Sequence, residues 1–314
     1  MLLMLVAVIG LHLATLLLAA LFAYLALERL NFAKRGGKWL AIGIFLVLVS
    51  GASYGLGYFI HQTIPALREI ADNAIPSVIQ WAEQNQIELP FTDYDSLKDA
   101  AFDAVMSQVH YLGSVAKFAR GAGTQALFLV AGVVVAMSLF LDSRLELGRQ
   151  APGPRADLYG RCCEEIARRF GVFYRSFVTV MGAQIVISAI NTVLTAIFVA
   201  ALRLPHGVVI IGVTFLCGLV PVVGNLVSNT IIVGIGFTIS PRTALAALVF
   251  LVAIHKLEYF LNSKIVGWRI RNPLWLTLLA LVIGEKLMGV PGMILAPVVL
   301  HYIKLETSRI ELTE

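Results

Sequence analysis

GVVIIGVTFLCGLVPVVGNLVSNTIIVGIGFTI, residues Gly207 to Ile239, carries no charged side chain and is interrupted in its middle by Pro221, Gly224 and Asn225. A hydrocarbon core about 30 Å thick is crossed by about 20 helical residues, so this run is too long for one crossing and too short for two. It reads as two half-helices. Proline removes a backbone donor and glycine loosens a helix, and in lipid the freed groups are tolerated only where protein buries them or a polar cavity hydrates them. Interrupted helices of this kind are where transporters place solute and ion sites.

Composition fixes the class of protein around that run. Hydrophobic residues make up 59% of the chain and charged residues 14%, with a mean hydropathy of +0.85. This is far from ordinary soluble domains and implies an all-α, polytopic helical membrane protein of about 7–8 membrane segments. The formal net charge of +5 does not point to nucleic acid, because the Lys and Arg residues are scattered at helix ends with no basic stripe interleaved with aromatics. The three cysteines, Cys162, Cys163 and Cys217, make neither a disulfide framework nor a metal-ligand spacing, so no metal and no cofactor is expected. The first charge is Glu28, which leaves the N-terminus without the basic region of a signal peptide.

Working outward, residues 1–60 read as an N-terminal transmembrane hairpin, Met1–Leu27 and Trp39–Ile60. Its basic connector (Arg29, Lys34, Arg35, Lys38) is placed in the cytoplasm by the positive-inside rule, with the N-terminus outside. Residues 61–122 hold eight acidic against four basic residues and three prolines, Pro65, Pro76 and Pro90. Within them Leu97, Ala101, Val105, Val109 and Leu112 recur at helical spacing behind a Ser96/Asp99 capping pattern, which predicts an extracytoplasmic amphipathic helical insert. Residues 123–169 read as a transmembrane helix followed by a cytoplasmic linker helix behind Pro152–Pro154.

Residues 170–303 are the expected transport core, ahead of a cytoplasmic tail at 304–314. The core opens with a long helix, Phe170–Leu202, rich in small residues including Ser188, which suits tight packing. Gln184 and Asn191 lie seven residues apart on one of its faces; they either line a polar cavity or hydrogen-bond across helices. A second interrupted run, 273–303, contains Gly284, Glu285, Lys286, Gly289, Pro291, Gly292 and Pro297. Its flanks are both basic, so it would dip from the side opposite to 207–239, the two hairpins forming an inverted repeat meeting near the midplane.

The candidate path residues follow. Pro221, Gly224, Asn225, Ser228 and Asn229 crowd amides, a hydroxyl and breakers into one short stretch able to bind a polar solute or cation without formal charge. Glu258, with Asn262 near it, is a carboxylate in a membrane segment, and such a group is costly unless it is paired, hydrated or neutralised. Glu285 and Lys286 gate the second hairpin or mark a tip that reaches water. Gly218, Gly289, Pro291, Gly292 and Pro297 are hinge candidates. No nucleophile elbow, phosphate loop or paired-histidine motif is present, so the chain does not read as an enzyme.

Four motifs in order, GLVPVVGN (Gly218–Asn225), KLEYFLNSKIVG (Lys256–Gly267), NPLW (Asn272–Trp275) and GEKLMGVPGMILAPV (Gly284–Val298), with GAQ at Gly182–Gln184, resemble the autoinducer-2 exporter family of bacterial membrane permeases. The resemblance implies a multi-pass protein of the bacterial cytoplasmic membrane, usually drawn with about eight transmembrane segments in which hairpins count as pairs. It further implies export of a furanosyl quorum-sensing signal or sodium (lithium)/proton antiport, and it falls on Pro221, Gly224, Glu258, Gly267, Pro273, Gly289, Gly292 and Pro297. The chain departs from that pattern in lacking a proline at Asn262–Lys264 and in being short by about one N-terminal helix. The expected function is thus a permease for a small polar solute or signalling molecule, coupled to protons or sodium. The alternatives are an ion channel or passive pore, an antiporter, and a non-transporting scaffold. The expected partners are the lipid bilayer, a small polar solute or cation, and further copies of the chain in a homo-oligomer.

Overall fold

The computed structural model describes residues 2–31, 37–86, 122–142, 158–220, 223–265 and 273–308. The helical pattern at Leu97–Leu112, the turn at Pro152–Pro154, Pro221, Gly267 and most of the tail lie outside the described residues. Every regular element among those described is an α-helix: α1 (Leu2–Gly10), α2 (Ala14–Leu30), α3 (Gly37–Gln84), α4 (Ala122–Leu141), α5 (Leu158–Leu202), α6 (Gly207–Gly218), α7 (Val223–Ile239), α8 (Pro241–Ile265), α9 (Leu274–Met288) and α10 (Val290–Thr307). By length and composition, three of these are long and apolar enough to cross a membrane: Gly37–Gln84, Gly123–Leu141 and Leu158–Leu202.

The helices depart from the sequence expectation in two instructive places. The expected first span is split after Gly10, because His12 takes a left-handed conformation (φ 54°) and Leu13 then opens α2. The expected second span does not stop at Ile60 but continues as α3 to Gln84, through Pro65 and Pro76. Those prolines are exposed. Eleven residues apart, they fall on one helical face, where the carbonyls they leave without partners can be hydrated.

The chain divides into two compact units. Unit 1 comprises Met1–Gly51, Thr124–Ala183 and Val266–Glu314. Its core gathers Leu17, Leu18 and Leu21 of α2, Phe173, Phe177 and Met181 of α5, and Leu295, Val298 and Tyr302 of α10. Edge-to-face contacts join Phe22 to Phe177 at 5.0 Å and Phe173 to Tyr302 at 5.8 Å. Lipid is as apolar as leucine, so close packing rather than water exclusion holds such helices together, and small residues permit it. At Gly132 of α4 an added Cβ would lie 2.6 Å from the Leu16 carbonyl oxygen of α2.

Unit 2 comprises Ala52–Gly123 and Gln184–Ile265. Val199, Leu204, Ile210, Ile232, Ile235 and Ala247 form its main cluster, with Ala66, Val209 and Val213 beside it. Phe198 of α5 stacks on Phe250 of α8 with ring centroids 4.2 Å apart. The packing of Ile210 with Ile232 shows that α6 and α7 fold back on each other. At 1.5 Å per residue these arms are about 18 and 26 Å long, each shorter than the hydrocarbon core of about 30 Å.

The second interrupted run folds back too, within unit 1. A Cβ on Gly284 would lie 3.2 Å from the Ala296 Cβ, whereas a straight helix would separate residues twelve apart by about 18 Å.

Candidate functional site

Helix α6 ends at Gly218, well short of a full crossing, and the end of any helix leaves carbonyls without intrahelical partners. Buried in hydrocarbon, each such carbonyl is costly. The structure satisfies two of them from a neighbouring helix. Gln184 of α5 donates from Nε2 to the Gly218 oxygen at 2.6 Å, and Ser188, one turn along, donates from Oγ to the Phe215 oxygen at 2.8 Å. Both side chains are buried. Between Gly218 and α7 the chain turns through Leu219 and Val220, whose amides bond back to Leu216 and Cys217. Gly224 then passes so close to the Cys217 carbonyl that any Cβ would overlap it.

The break is therefore held by a polar ladder on α5. Gln184, Ser188, Asn191 and Thr195 follow one another at spacings of four, three and four residues, which places them on one helical face, and all four are buried. On the α6 side Gly207, Thr214 and Gly218 share a face by the same rule. Ser188 approaches Gly218, with 2.6 Å from its Oγ to the position of an added Cβ, and Val199 approaches Gly207 at 3.0 Å. On α7, Ser228 and Asn229 are buried at 2% and 6% exposure.

Glu258 lies on α8 in the same unit and is 6% exposed. Its Oε2 is 4.0 Å from Nδ1 of His255, one turn earlier and itself exposed. Among the described residues no three His, Cys, Asp or Glu side chains are grouped as a metal site would require. On α5, α6 and α7 the buried polar groups flanking the break are, among the described residues, neutral amides, hydroxyls and carbonyls, and α8 carries the buried carboxylate of Glu258.

Of the residues singled out from sequence, Gln184, Asn191, Gly218, Gly224, Ser228, Asn229 and Glu258 all belong to unit 2, on α5 to α8. Asn225 and Asn262 lie on α7 and α8, and their side chains, like Pro221, are outside the described residues. The second set belongs to unit 1. Glu285 and Lys286 occupy the last turn of α9 rather than a loop tip, because the break falls at Gly289 (φ 66°, ψ −146°), a conformation that glycine tolerates. Pro291 sits in the first turn of α10, where a missing N–H costs nothing, and Pro297 lies inside that helix. Gly292 packs against the Gly284 carbonyl too closely for any side chain.

Sequence reasoning missed Ser188 as a donor and passed over Thr214. The signal for Ser188 was present, since it stands four residues after Gln184 and three before Asn191. It also missed His301 of unit 1, which is 4% exposed with neither ring nitrogen paired among the described residues. A cavity of about 300 Å³ in unit 1 is lined mainly by apolar groups such as Leu17, Leu21, Leu139 and Phe170. Its polar edge includes Tyr24, Asp142 and Tyr174, and the Tyr174 hydroxyl donates to Glu28 at 2.6 Å.

Comparison with known proteins bears on this geometry. Residues 1–308 match the family described as "AI-2E family transporter". A protein of Bacillus subtilis (strain 168), named "Putative transport protein YdbI", is 31% identical over 134 residues. That match covers 42% of this chain and 38% of the relative's length.

Proposed function

The chain belongs to the AI-2E transporter family, and we propose that it works as a permease for a small polar solute in the bacterial cytoplasmic membrane, its interrupted helix in unit 2 contacting the cargo. The observation that carries this reading is the pair of bonds from Gln184 and Ser188 to the open end of α6. A helix broken at membrane depth exposes backbone dipoles that a continuous helix would consume, and neutral side chains positioned around them recognise a solute without formal charge. The name of the Bacillus relative supports transport without naming a cargo.

Coupling to protons or sodium is assigned to Glu258. A carboxylate 6% exposed on a membrane helix is costly to keep, and such groups mark ion and proton pathways. The N-terminus outside and the C-terminus in the cytoplasm complete the reading, supported by the basic connectors.

The test is flux in proteoliposomes. Radiolabelled sodium and a panel of labelled small neutral and zwitterionic solutes are presented under an imposed proton or sodium gradient. Glu258→Gln should reduce gradient-driven accumulation about tenfold, the scale of a typical coupling free energy, while downhill exchange persists. Accumulation unchanged in the variant removes the coupling role. Discrete current steps in planar bilayers would replace the permease by a pore.

A further inference from the structure

Asn191 of α5 and Thr214 of α6 are buried polar side chains on the two faces that meet at the α5–α6 seam. The pairs Gln184–Gly218, Ser188–Phe215 and Val199–Gly207 fix an antiparallel register in which the two residue numbers sum to 402, 403 and 406 (184 + 218, 188 + 215, 199 + 207). Asn191 and Thr214 sum to 405 (191 + 214), within the range of those pairs, so they stand within about two residues, about 3 Å, of one level. Each is also central on its face. Asn191 is three residues from Ser188 and seven from Gln184; Thr214 is seven from Gly207 and four from Gly218. Asn191 is 1% exposed and Thr214 2%. Yet Nδ2 and Oδ1 of Asn191 and Oγ1 of Thr214 have no hydrogen-bond partner among the described residues.

We infer that the Asn191–Thr214 gap in this seam is a binding site for one internal water molecule, which bridges the amide to the hydroxyl. Facing polar atoms that do not bond are either strained or joined through a third group. Leaving buried polar atoms unpaired costs more than ordering a water, and a buried water needs two to four polar partners. The amide offers two donors and an acceptor and the hydroxyl one of each, which meets that need. A cation is the wrong occupant, because neither helix contributes a formal negative charge at this level and an uncompensated buried charge is expensive. The bridge gives α6 two kinds of attachment to α5: direct bonds at its broken end and a water-mediated one in its middle.

A double-substitution cycle on the full chain in lipid nanodiscs tests the site through thermal unfolding midpoints. Asn191→Leu and Thr214→Val should each lower the midpoint by about 3 °C, because each leaves the opposite partner and the water under-bonded. The double variant, with a dry apolar seam, should recover most of that loss. Strictly additive losses, or a midpoint raised by either single change, would overturn the bridge. Exchanging sodium chloride for choline chloride should leave all four midpoints unchanged. A sodium-specific rise that disappears in Asn191→Leu would assign the site to a cation instead. Should either single variant fail to express, an electron cryomicroscopy map of the wild type decides: a density peak within hydrogen-bond distance of both side chains supports the water, and an empty gap refutes it.

Discussion

The two interrupted hairpins are built from different chemistry. The α6–α7 break in unit 2 depends on a neighbour, since its freed carbonyls are met by Gln184 and Ser188 of α5 across the seam. The α9–α10 break in unit 1 is made locally. Gly289 supplies the positive φ, its amide closes on the Glu285 carbonyl at 2.7 Å, and Gly284 and Gly292 let the two arms touch backbone to backbone. One hairpin borrows its hydrogen bonds and the other makes its own. A borrowed bond can be exchanged for a bond to a passing solute, whereas a bond internal to the turn cannot be released without unmaking the turn. The contrast is the physical basis for proposing the α6–α7 break, rather than the α9–α10 one, as the contact for cargo.

The sharpest way to disturb the unit 2 break is through its backbone. Gly224→Ala should destabilise the folded protein by about 3 kcal/mol, because the new methyl overlaps the Cys217 carbonyl and only a backbone shift relieves it. Reversible unfolding in mixed micelles measures the loss, and a variant as stable as the wild type would show that the turn is looser than described.

Removing the loan rather than the turn gives a smaller effect. Gln184→Leu keeps the bulk and deletes the donor, leaving the Gly218 oxygen unpaired at a cost of about 1–3 kcal/mol. If the contrast is sound, this change also alters the KM for transport, since the same carbonyl is the one available to solute. Loss of stability with an unaltered KM would reduce Gln184 to a structural clamp.

The smallest effect belongs to the unit 1 hairpin. Its return arm α10 carries Glu306 in its last turn, which Arg169 of α5 reaches at 3.3 Å while also bonding Glu165 at 2.6 Å. Arg168 and then Arg169 hold the Glu165 carboxyl down to about 2 from its ordinary 4.5. A depressed carboxylate contributes stability above its unfolded pKa and loses it as the pH falls through the folded one. A slight decline in the thermal midpoint is expected between about pH 4.5 and pH 2 and should vanish in Glu165→Gln. The pair is solvent-exposed, so high salt should blunt the decline too.

Much of the fold was legible because the bilayer restricts the options. Apolar runs must be helices, and Gly218, or Gly289 with Pro291, marks where those helices stop. The limits of the reading lie where local signals are ambiguous. Pro65 and Pro76 looked like punctuation, but on a hydrated face a helix carries them, and nothing local distinguishes the two outcomes. Glu285 and Lys286 looked like a loop tip because charge suggests water, yet the turn needed only Gly289 three residues on. At the site, Gln184 and Asn191 were recognisable as sharing a face, but their fates differ. Gln184 reaches a carbonyl and Asn191 none, a difference set by the register against α6, which no pattern within α5 encodes.

Helix α3 carries one further consequence. Its 48 residues give a contour of about 72 Å, more than twice the thickness of the hydrocarbon core. Its later turns do not stand alone, for Ile70 joins the cluster of Ile210 and Ile232, and Trp81 meets Phe237 of α7 edge to face at 5.8 Å. The second half of α3 is thus a splint laid along the interrupted pair, so a label or rigid fusion mounted on those turns would stiffen the hinge it was meant to report.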